Sequence, residues 1–219
     1  MTDHKHPPID LVDPRRSSSQ ADRVAPGAPW MRSRFAALLP LVGSPDVAAA
    51  LVAHSANETG KGRAEWNWNL GNMRWWDRPQ RAFFQRGSDD PAGGAPYVSH
   101  ASLAEGARAF AYQVSHHHYT SSWAFLRNGG DPRAWYARLC AEGWHAPSDA
   151  STRHFDRLLA EVRAAVGLPP LALGEPPTLA SLGIRAPASR SRGSSGPGNG
   201  AALGALALAF VAWRAMRGA

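Results

Sequence analysis

Glu58 ends an apolar run, Val47-Ala-Ala-Ala-Leu-Val-Ala-His-Ser-Ala-Asn-Glu58, and a charged side chain in that place is the chain's first sign of chemistry. Taken as a helix, the run puts Glu58 about three turns after Val47, on one face with Val47, Leu51 and His54. That face should point inward. A carboxyl delivered to a partly desolvated place has its ionised form disfavoured and its pKa raised, the state a general acid needs near neutral pH. After Thr59-Gly-Lys-Gly62 comes Trp66-Asn-Trp68-Asn-Leu-Gly-Asn72-Met-Arg-Trp75-Trp76, which concentrates four of the nine tryptophans among Asn and Gly, a mixture that core packing does not require. Indole faces such as those of Trp66, Trp68 and Trp75 suit the flat faces of sugar rings, and Asn69 and Asn72 can bind hydroxyl and acetamido groups. A polymer of sugars is the substrate class this pattern favours.

Other residue groupings carry less chemistry. Three consecutive histidines, His116 to His118, cannot all face one ion from a helix and have no spaced partner ligands, so no metal site is expected. His54 and Glu58 form half of a zinc-protease helix whose second histidine is missing, which leaves His54 as a packed residue or one that supports Glu58. Cys140 is the sole cysteine and can form neither an internal disulfide nor a thiolate cluster. No phosphate-binding glycine loop and no Ser/His/Asp grouping stands out, and no cofactor is called for.

The elements that must position these residues read mostly as helices. Ser44-Pro45-Asp46 starts one with a hydroxyl cap, a first-turn proline and a carboxylate at the positive end of the dipole, and Gly60 can end it. Ser102-Leu-Ala-Glu105 is a capping box for a second, with Leu103, Ala107, Phe110, Ala111 and Val114 at helical spacing. A third is expected from Ser121 or Ser122 to Asn128, with Trp123 and Leu126 inward. A fourth opens at Asp131-Pro132, carries Trp135, Leu139 and Cys140, and stops at Gly143. The fifth starts near Ser151, aligns Phe155, Leu158, Leu159, Val162 and Val166, and ends at Gly167. Between the first two, Arg81-Ala-Phe-Phe-Gln85 and Pro96-Tyr-Val-Ser99 flank a Gly/Asp-rich stretch and suggest a small β-hairpin. The expected fold is mainly α, an α+β domain in which a small β lobe leaves a cleft beside the helices.

Composition divides the chain into four parts. Residues 1–31, rich in Pro and Ser, read as a disordered basic arm; residues 32–168 as the catalytic domain; 169–200 as a Pro/Gly/Ser linker; and 201–219 as an apolar C-terminal helix. Thirteen Lys/Arg against twelve Asp/Glu lie between residues 35 and 168, so most of the net charge of +7 belongs to the tails. A specific nucleic-acid partner is therefore disfavoured for the domain, while the tails suit anionic membrane surfaces or wall polymers. The apolar core of the C-terminal run is shorter than the ~20 residues a bilayer needs, which leaves a membrane-inserted tail and a surface-lying helix both open. The N-terminus, Met1-Thr-Asp-His-Lys-His, lacks the pattern of a secretory signal, so export by that common route is not expected.

Ala56-Asn-Glu58-Thr-Gly-Lys-Gly62 followed by Asn69-Leu70-Gly71-Asn72-Met73 resembles the Glu-[Ser/Thr]-Gly-x-Gly and Asn-Leu-Phe-Gly motifs of the glucosaminidase family of peptidoglycan hydrolases, which includes the muramidase domain of flagellar rod assembly. Tyr97-Val-Ser-His-Ala-Ser-Leu-Ala-Glu-Gly106 looks like the family's aromatic-bounded strand before its next helix. Gly143-Trp144-His-Ala-Pro147 looks like its tyrosine-containing region. The resemblance spans roughly residues 35 to 166, and it lacks the family's phenylalanine between Leu70 and Gly71. It implies a lysozyme-like domain that cuts β-1,4 bonds of the glycan strand at the bacterial cell wall, an endo-β-N-acetylglucosaminidase with Glu58 as general acid. Alternatives are a muramidase or lytic transglycosylase, and a non-catalytic wall-binding module. Asn69, Tyr97 and Trp144 would line the cleft. A second carboxylate, about 5 Å away for retention or about 6.5–9.5 Å for inversion, would come from the β lobe, where Asp89 and Asp90 are the candidates.

Overall fold

The computed structural model describes residues 24–65, 67–73, 82–83, 97–98, 100–116, 119–172 and 174–185. Six helices dominate these residues: α1 (Ala28–Val42), α2 (Pro45–Thr59), α3 (Leu103–Ser115), α4 (Thr120–Arg127), α5 (Pro132–Ala141) and α6 (Asp149–Val166). The mainly α reading holds, and local chemistry explains where the helices begin and end. Ser44 Oγ caps α2 by accepting from Val47 N–H, and Gly60 closes it in the left-handed conformation. Ser102 caps α3 from Glu105 N–H, while the Glu105 carboxylate reaches back to Ala101 N–H. Asp131 caps α5, and Ser148 caps α6, three residues before the expected start near Ser151.

At the centre lies α2, and it is buried on every side. Val47 through Ala56 are all buried, so the inward face expected from Val47, Leu51 and His54 was too narrow a reading. Its alanines make this feasible, because small side chains let α1, α5 and α6 approach from different directions. Trp30, Leu38, Leu70, Phe110, Trp135, Leu139, Phe155 and Val162 complete one core around it.

Two boundaries differ from the expected division. Trp30 and Met31 were expected in the N-terminal arm, but α1 begins at Ala28 and both are buried in the core. At the other end, residues expected to open the linker lie fastened to the domain. Arg163 Nε donates to Pro169 O, an Arg133 terminal nitrogen to Gly174 O, and Leu179 N–H to Asp149 Oδ1, with the Leu179 side chain buried. Beneath this strap runs a groove of about 380 Å³ lined by Leu159, Leu168, Leu171, Arg133 and Arg163. Its two arginines are already engaged with Asp131, Asp156 and Asp46.

Ala82–Phe83 and Tyr97–Val98 form a two-residue antiparallel pair, β1 and β2, in the register Ala82↔Val98 and Phe83↔Tyr97. Val98 N–H also donates to Met73 O and His100 N–H to Asn67 O, so this edge lies along the loop that follows α2. The connection between β1 and β2, residues 84–96, lies outside the described residues, as does the C-terminal segment 201–219. Among the described residues no helix is long and apolar enough to cross a membrane.

Candidate active site

The chain turns sharply after Glu58, and the glycines of the Glu58-Thr-Gly-Lys-Gly62 motif turn it. Gly60, Lys61 and Gly62 all take positive φ (58°, 60° and 87°), and a Cβ on Gly62 would stand 2.3 Å from the Trp30 ring. The following loop is pinned at both ends. Ser55 Oγ donates to Leu70 O (2.6 Å), and Thr59 Oγ1 accepts from Gly62 N–H (3.2 Å). Buried beneath it, the Glu65 carboxylate accepts from Trp30 Nε1 (2.7 Å) and from both Nε and a terminal nitrogen of Arg34 (3.1 and 2.6 Å), with Glu65 and Arg34 fully buried. Farther along, α3 presses Gly106 so closely against the loop that an added Cβ would fall 2.0 Å from Trp68 O.

This scaffold holds the Glu58 side chain at the mouth of an aromatic box, 11% exposed. Three N–H donors converge on a single oxygen, Oε1: His145 Nε2 at 2.8 Å, Asn57 Nδ2 at 3.3 Å and Trp144 Nε1 at 3.3 Å. Asn57 Nδ2 also donates to Tyr136 Oη (3.2 Å), which ties the site to α5. His54 Nε2 lies 3.6 Å from the same oxygen, too far for a hydrogen bond. The His54 ring is fully buried and meets Trp144, Phe110, Trp135 and Tyr136 edge-on, with centroids 4.6 to 5.8 Å away. Burial keeps this imidazole neutral by lowering its pKa.

The electrostatics of Glu58 run opposite to the sequence expectation. Burial does oppose its ionisation, but the hydrogen bond and charge of His145 outweigh that penalty and hold the carboxyl well below the usual range. The helix delivers Glu58 to a ring of N–H groups, not to a purely apolar wall. Burial likewise opposes charge on His145, yet its bond to Glu58 dominates and raises its pKa above 6.5. Both shifts favour an ion pair between Glu58 and His145.

That pair leaves a signature in stability. A raised histidine pKa gives a contribution complete below 6.5 and lost as pH rises through the folded value, and a lowered carboxyl pKa gives one present above 4.5 and lost in stronger acid. Neutral, buried His54 works in the other direction, costing stability as pH falls below 6.5. Comparing wild type with His145→Gln removes the part of that cost set by burial, the largest cause, and leaves only the smaller part that the His145 charge adds. We expect the difference in melting temperature to be largest between pH 4.5 and 6.5 and to shrink as pH rises past neutrality.

The residues singled out from sequence fall into three groups. Trp144 and Asn72 meet Glu58: Trp144 through its indole N–H, Asn72 by donating from its amide to the Glu58 carbonyl at the end of α2. Asn69 and Trp68 are placed differently. Asn69 is fully buried with its amide spent on Met73, Nδ2 donating to Met73 O and Oδ1 accepting from Met73 N–H, so it holds the loop and presents nothing to a ligand. Trp68 is partly buried against the core at φ 55°. Trp66, Trp75, Asp89 and Asp90 lie outside the described residues, and so does the Tyr97 side chain, whose backbone is in β2. Among the described residues no second carboxylate contacts Glu58.

Sequence reading missed Asn57, Tyr136 and His145. Asn57 adjoins Glu58 and His145 follows Trp144 within a noted motif, but nothing in their spacing says that both reach Oε1. No group of three His, Cys, Asp or Glu able to hold a metal occurs among the described residues, and His117 and His118 lie outside them. Cys140 is buried beside Tyr136, its thiol pushed up to about 12 mainly by burial, which leaves it inert.

No protein-family model matches this chain, and no curated protein matches it. Among solved structures the chain is similar to a mutant peptidoglycan hydrolase from Sphingomonas sp. A1, at 17% sequence identity and a TM-score of 0.47, over 62% of this chain and 98% of that one.

Proposed function

We propose that the chain is a glycosidase of the peptidoglycan glycan strand, an endo-β-N-acetylglucosaminidase on a lysozyme-like helical domain, with Glu58 as the acid that protonates the leaving oxygen. The observation that carries this reading is the Glu58 carboxyl itself. It is held at the end of a buried helix, with Oε1 fixed by three N–H donors while Oε2 has no partner among the described residues. A general acid needs such an arrangement: one oxygen anchored, the other able to face the bond being cut. Motif resemblance around Glu58 and the tryptophan-rich loop supply the substrate class. Trp144, already at Glu58, would offer an indole face to a sugar ring. On the sequence pattern alone, Trp66, Trp75 and Tyr97 are assigned to sugar contacts and Asp89 or Asp90 to the second carboxylate, and the basic tails would hold the protein near anionic wall polymers or lipid.

Purified sacculi incubated with the full chain, followed by mass spectrometry of the released muropeptides, test the reading. New reducing N-acetylglucosamine ends are the expected product. New muramic-acid ends would replace it with a muramidase, and anhydro-muramic ends with a lytic transglycosylase.

A further inference from the structure

We propose, building on the reading of Glu58 as acid, that His145 is its positioning and proton-holding partner: the pair carries one exchangeable proton, stored on the His145 ring, and that proton is the one spent on the leaving oxygen. A carboxyl that rests as an anion needs a proton source when substrate arrives, and the site contains one. His145 Nε2 lies 2.8 Å from Oε1, and its ring is 44% exposed with no protein partner at Nδ1 among the described residues, so it can exchange protons with solvent. His54, the other imidazole beside Glu58, is fully buried and cannot.

The other groups facing this space do not compete. Besides Glu58, α2 contributes His54, kept neutral by burial. From α5 come Tyr136 and Cys140, both pushed by burial toward their neutral forms. Phe110 is what α3 presents, and it carries no charge. Glu58 and His145 are therefore coupled to each other, each favouring the charged form of its partner: the carboxyl's pKa is lowered and the imidazole's raised.

The geometry also gives the proton a route. With Nε2–H kept on Oε1, the charged ring releases its Nδ1 proton through solvent to the unpartnered Oε2. Glu58 passes that proton to the glycosidic oxygen as the C1–O bond breaks, its electron pair leaving on the oxygen. Water then captures C1 and loses one proton, which restores the charged pair. His145 starts and ends the cycle protonated, and it anchors Oε1 throughout.

Two measurements on the full chain decide the matter. The first is the pH profile of kcat and kcat/KM on solubilised glycan strands for wild type and His145→Gln, since glutamine keeps an N–H donor for Oε1 but holds no titrating proton. We expect the alkaline limb to move down by about one unit or more, with kcat falling and KM little changed. An equal loss at every pH, with the limb in place, would mean that His145 acts only structurally and would overturn the proposal, as would an unchanged profile. The second is a histidine ring NMR titration of wild type against Glu58→Gln, which requires no turnover. The His145 midpoint should fall by about one unit or more in the variant, and an unmoved midpoint would refute the coupling. A coupled titration in a wild-type protein that cleaves no glycan would sink the glycosidase reading, and the catalytic use of the proton with it, while leaving the pair itself established.

Discussion

Glu58→Gln is expected to lower the rate of sacculus lysis by about 10²–10⁴-fold, the range that a positioned general acid contributes. Glutamine preserves the size of the side chain and an oxygen that can still accept from Asn57, Trp144 and His145, but it has no proton to give. Binding to sacculi should persist, because the aromatic surface at Trp144 is left in place. Turbidity loss and a pull-down on insoluble sacculi, run side by side, separate the two effects. If lysis continued undiminished in the variant, Glu58 would lose its role as the acid; if wild type itself bound sacculi without lysing them, the aromatic cleft would be that of a binding module.

The second large effect concerns stability, at Glu65. Glu65→Ala is expected to destabilise the fold by about 3–5 kcal/mol, because it takes the carboxylate away from the buried Arg34 guanidinium and removes the acceptor for the Trp30 indole. Denaturant unfolding followed by tryptophan fluorescence gives the number. The site should suffer as well, since Glu65 is what draws the loop after Gly62 onto α1. Replacing the pair together, Arg34→Met with Glu65→Leu, should recover much of the loss, because the penalty comes from the buried charge left behind more than from the missing attraction. A single variant as stable as wild type would show that the pair does not tie the loop down.

Helix boundaries were legible in the sequence because they are set by residues three or four apart. Ser44 and Gly60 bracket α2, Ser102 with Glu105 opens α3, and Asp131 opens α5 through side-chain bonds that any local reading can anticipate. The first helix was not legible. Gly27 at its N-cap makes no side-chain cap, and Pro40 lies inside it, so α1 carries the marks of a loop and is held instead by Trp30, Met31 and Leu38 in the core. Asn69 misled for a related reason. Its amide could serve a sugar as well as a turn, and only the position of Met73 shows that it serves the turn.

By itself the sequence determined that a carboxyl ends an apolar helix, that a glycine turn follows at once, and that aromatic and amide side chains crowd the next loop, all properties of neighbouring residues. What the tertiary structure alone decided is the environment of that carboxyl. Burial on its own would have kept Glu58 protonated, but the fold brings in His145 from 87 residues away and sets its Nε2 2.8 Å from Oε1. The reason is physical. Desolvation can be inferred from apolar neighbours along one helix, whereas a charge-assisted hydrogen bond depends on the meeting of two distant segments, and at this distance its strength reverses the sign of the shift.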